Sequence, residues 1–189
     1  ILRDMDLLGI REENGLELLD AGASKAFAVA DHQVAHVYVK DKSQLAAVKK
    51  RFEEEPGIAL VLSEEGKKKY HIDHERSGDL VLVGDEKSWF TYYFWQDDAK
   101  APDYARMVDI HKKPGYDPVE MLLDPKQWLI IPKILLKVLA KKMGFRMVMD
   151  VIPLDATLVK GSHGAVNLKD NDKAIFIGKH GHTANLEPT

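Results

Sequence analysis

With 189 residues, 45% of them hydrophobic and 30% charged, the chain is long enough to bury about 70% of its unfolded surface, and one domain, or one domain carrying a small insertion, is expected. A formal net charge of -3 argues against nucleic acid as the main partner, and no apolar run approaches the roughly 18–20 residues of a membrane span. The absence of cysteine excludes disulfides, thiolate metal sites and a Cys nucleophile, so any metal must be held by His and carboxylate groups.

The chain opens with "ILRDMDLLGIREENG", neither a signal peptide nor a natural translation start, so a piece of something longer is expected, in a cytoplasmic setting. Leu2, Met5 and Leu8 have helical spacing and Gly9 is a stop, while "IREENGLELLD" reads as a hairpin turning at Asn14-Gly15. "HVYVK" (36–40) is a predicted strand. "DKSQLAAVKKRFEEE" is a predicted helix opened by Asp41 and Gln44 at capping-box spacing, burying Leu45, Val48 and Phe52. "IALVLS" (58–63) makes a second strand, so 36–63 reads as a β-α-β unit, right-handed if its strands are parallel.

A short polar helix and turn are expected in "EEGKKKYHIDHERSG", then a strand in "DLVLVG" (79–84). Six aromatics among seven residues, Trp89 to Trp95, read as a strand or wall buried on both faces. "IPKILLKVLAKKMGF" is the clearest helix. Its predicted buried stripe is Ile131, Ile134, Leu135, Val138 and Leu139, with Lys133, Lys137 and Lys141 on the solvent side. "RMVMDVI" (146–152) and "AIFIG" (174–178) supply two further strands around a long loop. Alternating strands and helices imply an α/β layer fold.

Three stretches carry chemistry. "AFAVADHQVAHVYVK" sets Asp31, His32 and His36 in an otherwise apolar strand. Neighbours in a strand point to opposite faces, so Asp31 and His32 reach one metal only if the strand ends or bulges there; otherwise they are a hydrogen-bonded structural pair. "KGSHGAVN" flanks His163 with glycines that let backbone approach a ligand closely. In "VDIHKKPGYDPVEM", Asp109 and His111 share a strand face and Pro114-Gly115 turns the chain to present Tyr116 and Asp117. As a site, Lys112 and Lys113 would there bring positive charge to an anion, with Asp109 or His111 relaying a proton or orienting the ligand.

In this order "SKAFAVADHQVAHVYV", "SGDLVLVGDEKSWFTYYFW", "DIHKKPGYDPVEM" and "GSHG" resemble the C-terminal half of type I phosphodiesterase/nucleotide pyrophosphatase proteins of the alkaline phosphatase superfamily. The resemblance implies a partial alkaline-phosphatase-like α/β sandwich with a β-α-β-containing insertion, 1–189 being the C-terminal part and 36–130 an inserted subdomain. It also implies hydrolysis of phosphodiesters or nucleotide pyrophosphate bonds by two zinc ions and a Thr or Ser nucleophile.

On that resemblance His163 is a metal ligand, Asp31 and His32 are ligands or stand beside them, and His111 and Tyr116 contact substrate. No segment resembles the one that carries the nucleophile, so the expected partners are a phosphodiester or nucleotide substrate and a missing N-terminal half. The alternative is a non-enzymatic α/β module that holds an anion or a protein partner through "HKKPGYDP".

Overall fold

The computed structural model describes residues 1–107, 113 and 118–169. Residues 2–6 turn once rather than continuing as a helix: Asp6 adopts a left-handed φ of 56° and Leu7 donates its N–H to Leu2 O at 3.0 Å. Leu2 and Leu7 still reach the core. A hairpin follows, β1 (Ile10–Glu13) and β2 (Leu16–Leu19), paired in register Glu13 to Leu16. Asn14 and Gly15 have φ of 52° and 79°, the left-handed pair that two-residue hairpin loops demand.

The main sheet has four strands in the order β3-β4-β6-β5. β3 (Ala26–Asp31) and β4 (Val34–Val39) form a hairpin. Ser43 N–H is capped by the Asp41 carboxylate, and Gln44 makes no reciprocal cap. A single turn at Lys42–Gln44 then leads into α1 (Leu45–Glu53), which buries Val48 and Phe52. β5 (Ile58–Leu62), the short α2 (Glu64–Lys69) and β6 (Leu80–Gly84) complete the unit.

β6 runs antiparallel to both β4 and β5. β4 and β5 are therefore parallel, as a β-α-β unit would have them, but split by the inserted β6. Residue 36, where the inserted subdomain was expected to begin, falls inside β4, which pairs with β3 along its whole length.

β6 is buried at every residue, and its alternation divides the core. Leu80 and Leu82 face α1 and the N-terminal turn, together with Ala35, Val37 and Val39. Val81 and Val83 face the other way, toward Leu62, Tyr70, Ile72 and Ala165. The aromatic run is a wall and not a strand: Tyr92, Phe94 and Trp95 are buried in irregular backbone with Ala105 and Leu154.

That wall is tied to the N-terminal turn by Arg3, whose guanidinium is paired 2.5 Å from the buried Glu17 carboxylate and donates to Phe94 O at 3.1 Å. The hydrogen bond from Arg3 holds the Glu17 carboxyl below its ordinary value of 4.5. A depressed carboxyl contributes stability above its unfolded value and loses it as pH falls through the folded one. Arg3→Met is therefore expected to destabilise by about 2 kcal/mol at pH 7, with a smaller gap from wild type below pH 4. Urea titrations at pH 7 and 3.5 test this, and an equal gap at both pH values would refute it.

α3 (Ile130–Lys142) occupies the predicted segment, but its orientation reverses the expectation. Leu135 and Leu136 are 64% and 67% exposed, and Ile131, Val138 and Leu139 are exposed as well. Lys133 and Lys137 turn inward instead, while Lys141 is exposed as expected. Lys133 Nζ lies 3.0 Å and Lys137 Nζ 2.5 Å from the Asp150 carboxylate, and both also donate to main-chain oxygens, of Asp150 and Val148 respectively.

Residues 146–152 make one antiparallel bridge, Met107 to Asp150, rather than a strand. The strand predicted at 174–178 lies outside the described residues. Among the described residues no helix is long and apolar enough to cross a membrane.

Candidate functional site

The apolar run 26–40 is two strands, and Asp31 and His32 stand where they join. Asp31 ends β3 opposite Val34, and His32-Gln33 is the two-residue turn. His32 takes φ 55°, the left-handed conformation that primed hairpin turns require at this position and that a non-glycine residue adopts at a cost. The strand therefore ends at the Asp-His pair, which was the condition for both residues to serve one site.

Gln33 holds the tip in place. It is buried, and its side-chain amide donates to Asp85 O at 2.9 Å and Ser88 O at 3.2 Å. Its carbonyl accepts from Gly84 N–H at 2.8 Å, and its own N–H donates to His163 O at 3.1 Å. Phe90 N–H donates to His32 O at 2.7 Å. Five main-chain contacts thus lock a tip that otherwise has only a strained turn.

The Gly161–Gly164 segment lies across this tip. Gly164 has φ 107°, and a Cβ there would stand 3.3 Å from Val34 Cγ2, so glycine allows the close approach. The imidazoles of His32 and His163 meet with centroids 4.0 Å apart and planes inclined by 30°. Ser162 Oγ lies 3.0 Å from His32 Nδ1. The Asp31 carboxylate is exposed, with Oδ1 3.8 Å from His32 Nε2, beyond hydrogen-bond distance.

The structure thus brings His163 to His32 and Asp31 across 131 positions of sequence. His36 is not part of this group; it is the third residue of β4, where its Nδ1 accepts from Gly78 N–H at 3.0 Å. Sequence reasoning missed Gln33 as the residue that positions the site. Its signal was a lone amide between an Asp-His pair and an apolar strand, a place where a turn competes with strand continuation.

As metal ligands the donors fit in kind and fall short in number. Two imidazoles and a carboxylate are zinc-type donors. If Nδ1 of His32 donates to Ser162, Nε2 keeps its lone pair, the usual arrangement of a ligating histidine held by its other nitrogen. Among the described residues, however, no group of three or more His, Asp or Glu side chains is arranged to hold a metal ion.

His111 and Tyr116, the expected substrate contacts, lie outside the described residues, as do Asp109, Lys112 and Asp117. Lys113 is described, and it does not present charge to an incoming anion. Its side chain is buried, with Nζ 2.9 Å from Glu120 Oε1, 3.2 Å from Ala105 O and over the Tyr92 ring. A cation so enclosed is satisfied within the fold.

No curated protein and no solved structure matches the chain. The family model for type I phosphodiesterase / nucleotide pyrophosphatase matches residues 1–117, which include the Asp31-His32 tip and the whole four-stranded sheet, while His163 lies beyond the matched part. With that span covering more than half of the sequence, and with its mixed strands and helices, this α/β chain belongs to the type I phosphodiesterase/nucleotide pyrophosphatase family, of alkaline-phosphatase-like fold.

Proposed function

We propose that the chain supplies metal ligands and pocket walls to a metal-dependent phosphodiesterase or nucleotide pyrophosphatase, with His32 and His163, joined by Asp31, holding a divalent cation, zinc by donor type. The observation that carries this reading is the meeting of two imidazoles 4.0 Å apart from segments 131 positions apart in the sequence, since metal ligands are commonly gathered from distant points of a chain.

A bound zinc would polarise a phosphoryl oxygen and stabilise charge on the attacking and leaving oxygens. The chain's own residues orient and position: Ser162 fixes the His32 ring, and Gln33 fixes the backbone that carries both histidines. A second zinc and the nucleophile, which the family reading calls for, would come from a further, N-terminal part of the polypeptide.

Zinc titration of the 189-residue chain followed by imidazole NMR is the test. Complete structural zinc sites gain about 10–16 kcal/mol; binding here is expected to be several orders of magnitude weaker, centred on His32 and His163, and reduced at least tenfold in His163→Ala. Zinc shifts that leave both rings untouched would refute the assignment. The same chain is expected not to hydrolyse a nitrophenyl phosphodiester, and zinc-dependent turnover would show that its nucleophile lies within these 189 residues.

A further inference from the structure

Among the described residues, nothing covers the apolar side of α3. Ile131, Leu135, Leu136, Val138, Leu139 and Met143 are all exposed, and at 3.6 residues per turn they fall on one side of the helix. Trp128, 86% exposed, stands just before the helix, and Phe145, exposed as well, just after it. Monomeric proteins seldom leave so continuous an apolar strip open unless it meets a partner.

The strip is held outward from behind and at its end. Lys133 and Lys137 are anchored on Asp150, and Lys133 also donates to Gln127 Oε1 at 3.2 Å. Gly144, with φ 86°, closes the helix: its N–H donates to Lys141 O and that of Phe145 to Ala140 O, both at 3.0 Å. These are the paired bonds of a Schellman cap, and they fix Phe145 at the helix end.

The charge around the strip has one sign. Residues 125–149 contain five lysines, one arginine and no acidic residue, in a chain of net charge -3. Lys141, Lys142 and Arg146 are exposed and have no acidic partner among the described residues. A second copy seated face to face on this strip would set cations against cations, whereas an anionic surface is complementary to it.

We propose that α3 docks the chain on an anionic lipid surface, its apolar strip at the boundary between headgroups and acyl chains and Lys141, Lys142 and Arg146 on the headgroups. An apolar face with lysines beside it and aromatic residues at its ends is the pattern of a helix that lies in the plane of a bilayer interface. With 13 residues, α3 is too short to cross a bilayer and long enough to lie on one. The proposal is independent of the metal reading, since no residue of the Asp31, His32 and His163 group takes part.

Co-sedimentation of the 189-residue chain with vesicles is the test, comparing phosphatidylcholine alone with phosphatidylcholine and phosphatidylserine in equal parts. Binding at least tenfold tighter to the mixed vesicles is expected, weakening as salt is raised. The Trp128 emission, taken as the difference from Trp128→Phe, is expected to shift to the blue on binding. Leu135→Asp/Leu139→Asp is expected to weaken binding at least tenfold, and Lys141→Gln/Lys142→Gln to weaken it several-fold and to reduce the preference for phosphatidylserine. Circular dichroism checks that each variant folds, and the lysine variant decides the matter if the leucine variant does not.

No preference for the mixed vesicles, or affinity unchanged in the folded variants, overturns the proposal. So does a lipid-free chain that sediments as a dimer and returns to a monomer in Leu135→Asp/Leu139→Asp, which would give the strip to a second copy. Trp128 emission already blue-shifted in the lipid-free monomer would overturn it too, because another part of the polypeptide would then cover the strip.

Discussion

Leu80→Ala is expected to destabilise the chain by about 2–5 kcal/mol, and Leu135→Ala by less than about 0.5 kcal/mol. Leu80 lies on β6, between β4 and β5, and has no accessible surface. Its truncation leaves a cavity that strands on both sides, each fixed by its own ladder, cannot close. Leu135 is 64% exposed, so truncating it opens no cavity. Urea unfolding of the two variants beside wild type measures the contrast. Equal losses would mean that the apolar face of α3 is buried in solution, and the orientation set by Lys133, Lys137 and Asp150 would be wrong.

Lys113→Met is expected to cost about 3–5 kcal/mol, because it removes a buried cation that stands 2.9 Å from the Glu120 carboxylate in a low-dielectric setting. The Lys113 side chain is wholly buried and that of Glu120 nearly so. The ammonium also donates to Ala105 O and stands over the ring of Tyr92, joining the aromatic wall to the single turn at Pro118–Met121. The double variant Lys113→Met/Glu120→Leu is expected to recover most of the loss, since replacing both members of the pair by apolar groups removes the buried carboxylate together with its neighbouring ammonium. Thermal or urea unfolding of single and double variants gives the coupling. A single variant as stable as wild type would mean that Lys113 reaches solvent, which would restore it as a candidate anion contact.

Both predictions turn on positions whose environment the residue type alone misreads. A lysine beside a Pro-Gly turn reads as solvated, and Lys113 is buried; a leucine on a helical stripe reads as buried, and Leu135 is exposed. Lys133 and Lys137 explain the second case: each finds Asp150 and a main-chain oxygen, and those contacts turn the polar side of α3 inward.

The sequence by itself determined what depends on neighbours along the chain. The Asn14-Gly15 hairpin follows from left-handed turn chemistry, α1 from apolar spacing behind Asp41, β5 and β6 from short apolar runs, and α3 from its helical period. The motifs in residues 1–117 were enough to mark the family. Only the tertiary structure decided what depends on long-range pairing: that β6 inserts between β4 and β5, that the aromatic run is a wall without strand partners, and that the apolar stretch 26–40 folds back at His32-Gln33. The same holds for the candidate site. Asp31 and His32 are legible as an anomaly in a strand, but their meeting with His163 depends on a turn strained at His32, on glycine beside Val34, and on one buried amide, Gln33, whose partners lie 52 and 55 residues away. Local propensity carries no information about contacts at that separation, and hydrogen bonding of buried main-chain groups is what selects them.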